Sequence, residues 1–217
     1  EYLAFGLVFI FIIVLASIGS LLCYSSARFA NFAHGDTMTV GAYGAFVGFA
    51  LIGDLGPSLL GLPAGFYLAV AVGAIVAAVV AVLTQRLVYD ALEVGAIGLL
   101  ITSIGVAFVY RAVVILGFGT SNVRYAVPSQ RPIPALVPMG VRITTQEVAM
   151  IIVAVTLVVG LHLLLRYTLL GRMMRATADN ADLAQVTGIR TARITRWTWV
   201  IGAGLAGVGG VFLGLYN

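Results

Sequence analysis

The amino-acid sequence predicts an all-α fold: a polytopic membrane helical bundle of about six spans with a short helix on the cytoplasmic side. Three observations predict it. Hydrophobic residues make up 61% of the 217 residues and charged ones 9%, at a mean hydropathy of +1.10, against roughly 25% charged residues in a soluble domain. Apolar stretches close to the ~20 residues that cross a bilayer recur along the chain. All six Pro residues and every Arg but Arg111 fall in or beside the polar interruptions between those stretches. In hydrocarbon the backbone must satisfy its own hydrogen bonds, and apolar runs of this length do so as helices.

Taken in order, the spans fall near residues 3–24, 36–52, 64–87, 95–116, 147–165 and 197–216. The first lacks a basic n-region and an A-x-A-like cleavage site, so it reads as a span rather than a signal peptide. It contains Cys23, the single cysteine, which excludes an internal disulfide and reads as a packing residue. The second is short, and the stretch before it, Arg28 to Asp36, is polar enough for the helix to be broken or partly re-entrant there. Gly53-Asp54-Leu55-Gly56-Pro57 and Gly61-Leu62-Pro63 make a turn-rich loop before the third. The fourth carries Arg111 within snorkelling reach of its outer end, which favours an interfacial anchor over a binding site. Between Gly117 and Thr145, Pro128, Pro132, Pro134 and Pro138 forbid a continuous helix. His162, one turn before Arg166 in the fifth span, can reach the inner interface. In the sixth, Gly202, Ala206, Gly210 and Gly214 recur every four residues, and Gly41, Gly44, Ala45 and Gly48 form a similar stripe with Phe49 in the second. Small residues at this spacing let helix backbones approach closely in lipid, either inside the bundle or against a second subunit.

Residues 1–217 form one transmembrane domain. A chain that begins at Glu1 rather than Met and stops after a Gly-rich apolar segment is expected to be part of a longer protein with further C-terminal spans. Segment 166–196 carries six Arg residues and the Pro-rich loop three, Arg124, Arg131 and Arg142. Loops near span ends on the cytoplasmic side are enriched in basic residues, so 166–196 lies inside and the Pro-rich loop outside. Alternation then places Arg86, Asp90, Glu93 and Arg28 inside, and the Asp54 loop and the start of the first span outside.

All twelve basic residues are Arg. A phosphate-binding loop of the G-x-x-x-x-G-K-[ST] type needs Lys on the phosphates, so any ATP energy must come from another polypeptide. The only histidines, His34 and His162, lie in different spans, and no H-E-x-x-H, Cys/His cluster or G-x-S-x-G elbow is present. The chain is therefore read as a transport subunit rather than an enzyme, with no metal, cofactor or nucleic acid.

Two stretches carry candidate functional residues. Asn31-Phe32-Ala33-His34-Gly35-Asp36 places an amide, an imidazole and a carboxylate at the mouth of a span, and polar groups at membrane depth commonly line a pathway. If helical, Asn31, His34 and Gly35 share a face and Gly35 admits another backbone; if broken, Asp36 caps the following helix. Capping and packing alone stand beside a role in the pathway. The second stretch runs from Leu170 to Ile189. Thr177 suits an N-cap, Asp179 the first turn and Gly188 the C′ position of a short helix, which is either an interfacial connector or a docking helix for a cytoplasmic motor.

These blocks resemble the permease subunits of branched-chain amino-acid ABC importers. Asn31-Phe32-Ala33-His34-Gly35-Asp36 followed by Gly41-Ala42-Tyr43 is similar to the family's N-F-A-H-G-[DE] block and the G-[AS]-Y after it. Gly171-Arg172-Met173-Met174-Arg175-Ala176, with Asp179, Ala184, Gly188 and Ile189 and then Gly202 to Gly207, is similar to its inner loop and following span. Ala184 and Gly188 match the A-x-x-x-G core of the loop through which such permeases meet their ATPases; the Glu-Ala that commonly leads it is absent. The resemblance implies a prokaryotic inner-membrane protein working by alternating access with a second related permease subunit, two cytoplasmic ATPases and an extracytoplasmic binding protein. The polar block makes Asn31, His34, Gly35 and Asp36 candidates for the substrate pathway, and the inner loop makes Gly171, Arg172, Arg175, Asp179, Asp182, Ala184 and Gly188 candidates for ATPase coupling, with no single-residue contact assigned by the resemblance. Importers of urea or short amides in the same architecture, and a channel or proton-coupled carrier using His34 and Asp36 as a relay, are the alternatives.

Overall fold

The computed structural model describes residues 2–53, 55–121, 123–128, 131–134, 138 and 142–216, with side chains from Gly6 onward. Asp54, which the sequence places in an outer loop, lies outside the described residues. The helices are α1 (Tyr2–Ala27), α2 (His34–Ile52), α3 (Ala64–Thr84), α4 (Ala96–Phe118), α5 (Thr145–Tyr167), α6 (Leu169–Asp179), α7 (Ala181–Val186) and α8 (Thr191–Tyr216). Six of them, all but α6 and α7, are long and apolar enough to cross a membrane. The predicted polytopic bundle is therefore observed. The one departure from all-α among the described residues is a two-residue hairpin, Ser58–Leu59 against Leu62–Pro63, turned by Leu60 and Gly61 at positive φ.

The helix α8 is the axis of the bundle. Two thirds of its span window (67%) is buried, against 22% for α4 and α5, and α1, α2 and α3 pack around it. Glycine makes this possible. A Cβ added at Gly202 would stand 2.7 Å from the Gly19 carbonyl oxygen and from Cys23 Sγ. One added at Gly41 would fall on the Gly207 Cα, and one at Gly210 on the Met38 backbone. The small-residue stripes thus serve packing inside the bundle, where close backbone approach replaces the hydrophobic effect that lipid removes. Cys23 is buried in this packing, as its composition suggests.

The helix α3 ends in a π-turn over Gln85–Tyr89, and α8 begins at Thr191, six residues before its predicted start at Trp197, so that Arg193 and Arg196 are helical. The helix α5 is opened by a capping box: Thr144 Oγ1 accepts from the Glu147 N–H (3.2 Å), and Glu147 Oε2 accepts from the Thr144 N–H (2.6 Å). His162 is exposed on α5, one turn before Arg166. Arg28 Nη2 donates to the carbonyls of Ala178 (3.0 Å) and Asp179 (3.3 Å), while Gln146 Nε2 donates to the carbonyls of Gly61 and Pro128. One end of the bundle therefore gathers Arg28 and the 166–196 segment, and the other gathers the 53–63 and Pro-rich loops, the grouping that alternating spans require.

Candidate functional site

The second span begins deep in the bundle. His34, its first residue, has Nε2 3.2 Å from the carbonyl of Ala16, eleven residues before Ala27 closes α1, or about 16 Å along the helix axis. The Phe32 N–H donates to Ser103 Oγ (3.0 Å), seven residues past Ala96 in α4, or about 10 Å. The connector from Arg28 to Ala33 thus climbs from the end of α6 into the bundle, and α2 starts there. A carbonyl only accepts, so Nε2 of His34 carries the proton.

The connector is held by polar contacts suited to a break in the spanning structure. Asn31 Oδ1 accepts from the Ala33 N–H (3.1 Å) and from the Tyr89 hydroxyl (3.1 Å), closing an Asx-type turn. Asn31 precedes the helix, so it does not share a helical face with His34 and Gly35. A Cβ at Gly35 would meet nothing within 4 Å; no described backbone approaches it. Asp36 lies in the first turn of α2 but makes no capping bond. Its carboxylate instead accepts from Arg111 of α4, Nε to Oδ1 at 2.6 Å and Nη2 to Oδ2 at 3.4 Å. Arg111, expected to be an interfacial anchor, is the partner of Asp36. The pairing spans 75 residues, a separation that hydropathy and helical spacing cannot reveal, and a carboxylate at this depth is stabilised by an opposite charge. Beside the connector an open groove of about 400 Å³ is lined by Ser17, Ser20 and Tyr24 of α1 and by Asn31 and Phe32.

The inner segment contains two short helices where the sequence suggests one. Thr177, expected as N-cap, is buried within α6 and donates Oγ1 to the Met173 carbonyl (2.8 Å). Asp179 is the last residue of α6 rather than part of a first turn. The cap is Asn180, whose Oδ1 accepts from the Leu183 N–H (3.0 Å), and Asp182 occupies the first turn of α7. The shift has a local cause. Thr168 caps α6 by accepting from the Gly171 N–H (3.0 Å), and Gly171, Met174 and Thr177 at three-residue spacing form its buried face, so a helix is already running when the chain reaches Thr177. Gly188 does take the C′ position, at φ +90°. The Ile189 N–H bonds the Ala184 carbonyl and the Gly188 N–H that of Gln185, the Schellman arrangement. A Cβ at Gly171 would fall on the Leu164 and Leu165 backbone, which fixes the tight corner between α5 and α6. Arg172, Arg175, Asp179 and Asp182 are exposed, Ala184 is buried, and α7 presents Leu183 and Val186 outward.

Arg28 connects the two regions, and sequence reading missed it. It is one of two described non-glycine residues at positive φ (+56°), an uncommon conformation for an Arg, and its guanidinium closes the carbonyl end of α6, where a cation is favoured. The adjacent N-F-A-H-G-D block was the only available hint.

Six spans, three of them packed around the glycine-lined α8, with one span starting inside the bundle on polar side chains, define a multi-pass helical cell-membrane protein. The chain belongs to the family described as branched-chain amino acid transport system / permease component, whose family model matches residues 2–217. It is 32% identical over 210 residues to the high-affinity branched-chain amino acid transport system permease protein LivH of Escherichia coli (strain K12), covering 93% of this chain and 66% of that protein. It is 31% identical over 208 residues to LivH of Salmonella typhimurium and 29% identical over 212 residues to BraD of Pseudomonas aeruginosa, both with the same coverage. The chain thus spans 66% of the length of these relatives. No solved structure matches it significantly.

Proposed function

We propose that this chain is the membrane-spanning part of an ABC importer subunit that moves branched-chain amino acids across the cell membrane by alternating access. Separate cytoplasmic ATPases drive it, an extracytoplasmic binding protein delivers the ligand, and a second related permease subunit completes the pathway. The relatives' names supply the substrate class. The observation that carries the mechanism is the Arg28 bond to the end of α6. An ATPase seated on Leu183 and Val186 of α7, within the 166–196 coupling segment, displaces α6 and α7. Gly171, Arg172, Arg175, Asp179, Asp182, Ala184 and Gly188 shape that hairpin. Arg28 passes the displacement to the connector, and so to Asn31 in the groove wall and to His34, Gly35 and Asp36 in the first turn of α2. Motion of α2 against α4 works through the Asp36–Arg111 pair.

The test is reconstitution of the full protein in proteoliposomes with its ATPases and binding protein. Gly188→Pro, or removal of Asp179 and Asp182 together, is expected to leave ATP hydrolysis running while leucine uptake falls. Normal uptake per ATP in those variants would refute the coupling role. Gradient-driven uptake without ATPases would favour a channel or carrier, and competition by urea but not leucine would replace the substrate.

A further inference from the structure

We infer that the inner end of the α3–α8 contact is a binding site for an anionic phospholipid. In the middle of the bundle these helices touch through Gly73, Ala77 and Gly207. Toward the inner end they part, leaving a cleft of about 460 Å³ lined by Val82 and Arg86 on one side and by Arg193, Arg196, Trp197 and Val200 on the other.

The order of residues along each wall identifies the occupant. Val82 and Arg86 are one helical turn apart on one face of the α3 end; Arg193, Arg196, Trp197 and Val200 follow the i, i+3, i+4, i+7 pattern on one face of α8. Both walls are apolar on the bundle side and cationic at the inner rim. A phospholipid of the inner leaflet has the same order, acyl chains deep and phosphate at the rim. The π-turn over Gln85–Tyr89, which contains Arg86, is a local irregularity of the kind found where a helix end is shaped for a task.

Charge complementarity favours the anionic class. Three Arg residues line the cleft and no carboxylate does. Of these three Arg, Arg196 donates Nε to its own helix at the Ala192 carbonyl (3.1 Å). Guanidinium matches phosphate oxygens in a bidentate fork, and basic pockets between spanning helices on the cytoplasmic side suit acidic headgroups. Trp197, 47% exposed, stands at the boundary between the two zones, where an indole ring is favoured.

Trp197 also reports the test. The full protein in mixed micelles is titrated with phosphatidylglycerol or phosphatidylcholine brominated on the acyl chains, with Trp197→Phe separating its fluorescence from that of buried Trp199. Quenching of Trp197 is expected at about tenfold lower content of the acidic lipid. Arg86→Gln with Arg193→Gln and Arg196→Gln should abolish the preference, a triple Lys variant should keep most of it, and Arg166→Gln, at the inner end of α5, should leave it intact. Equal quenching by the two lipids in the unaltered protein overturns the inference without any variant. So does loss of the preference in Arg166→Gln, which would mean attraction to the whole basic face, or displacement by inorganic phosphate or by added ATPase subunit, which would name a free anion or a protein as the occupant.

Discussion

The quartet α1, α2, α3 and α8 and the helix α4 are built of similarly apolar sequence and attached in opposite ways. In the quartet, glycine brings backbone against backbone and the contact is continuous. The helix α4 buries only Ser103, Val106, Ala107 and Tyr110 among its described residues, one narrow stripe, and is tied down by polar bonds: Ser103 Oγ to the Phe32 N–H, Tyr110 to Thr84 at 2.6 Å, and Arg111 to Asp36. Close packing is nearly indivisible, because the interlocked backbones cannot shift singly. Polar tethers can be exchanged one at a time. The difference divides the molecule into a stiff frame and a helix free to change partners, and α2 belongs to both, since it packs in the quartet while its first turn holds the tether to α4.

Substitutions sharpen this contrast. The largest effect is expected for Gly210→Val, whose added atoms overlap the Met38 backbone: a loss of about 3 kcal/mol or more, seen as absent or early-melting protein in detergent. Gly105→Val in α4, where nothing lies within 4 Å, should stay within about 0.5 kcal/mol of the parent. Equal damage at the two sites would erase the distinction. Ser103→Ala leaves the Phe32 N–H without its partner and should lower stability by about 2 kcal/mol, with hydrogen exchange rising first at the connector; a uniform rise would show that the tether does not act locally.

Arg28→Ala is expected to reduce transport per ATP about fivefold while the melting temperature changes little, as befits a link rather than a support. A parallel fall in hydrolysis and uptake would instead mean damaged assembly. A modest loss is expected at Tyr125, whose hydroxyl donates to the Ala42 carbonyl at 2.8 Å; Tyr125→Phe should cost about 1 kcal/mol. Burial, with Tyr43 nearby, pushes this phenol well above the usual tyrosine range. Its contribution is therefore fully present below about pH 10 and lost as pH rises through the higher folded value, so alkaline melting curves of parent and variant should converge. Curves that stay parallel would remove the hydrogen bond from the account.

Legibility in the sequence followed the range of the interaction. Gly188 was identified because a C′ glycine is a local requirement of the chain, whereas Thr177 was misjudged because its face is buried by contacts that a capping pattern does not encode. The Thr144–Glu147 capping box was also written locally, as T-x-x-E, and went unread. Arg111 shows the opposite case: an Arg within reach of a helix end reads as an anchor until the distant carboxylate beside it is known. Alternation of the spans groups Arg28 with the 166–196 segment, but its partner is a backbone end 150 residues away, which no residue pattern announces.

Composition and period determined by themselves that this chain lives in lipid, that it crosses as helices, about how many times, and which loops share a side, because each follows from the transfer energy of single residues and the length of a single helix. The tertiary structure alone decided that α8 is the axis, that α2 begins inside the bundle, and that Asp36 meets Arg111 while Arg28 meets α6. Those outcomes depend on which backbones approach closely enough to exclude side chains, and such proximity is a property of the packed assembly of helices rather than of any one segment.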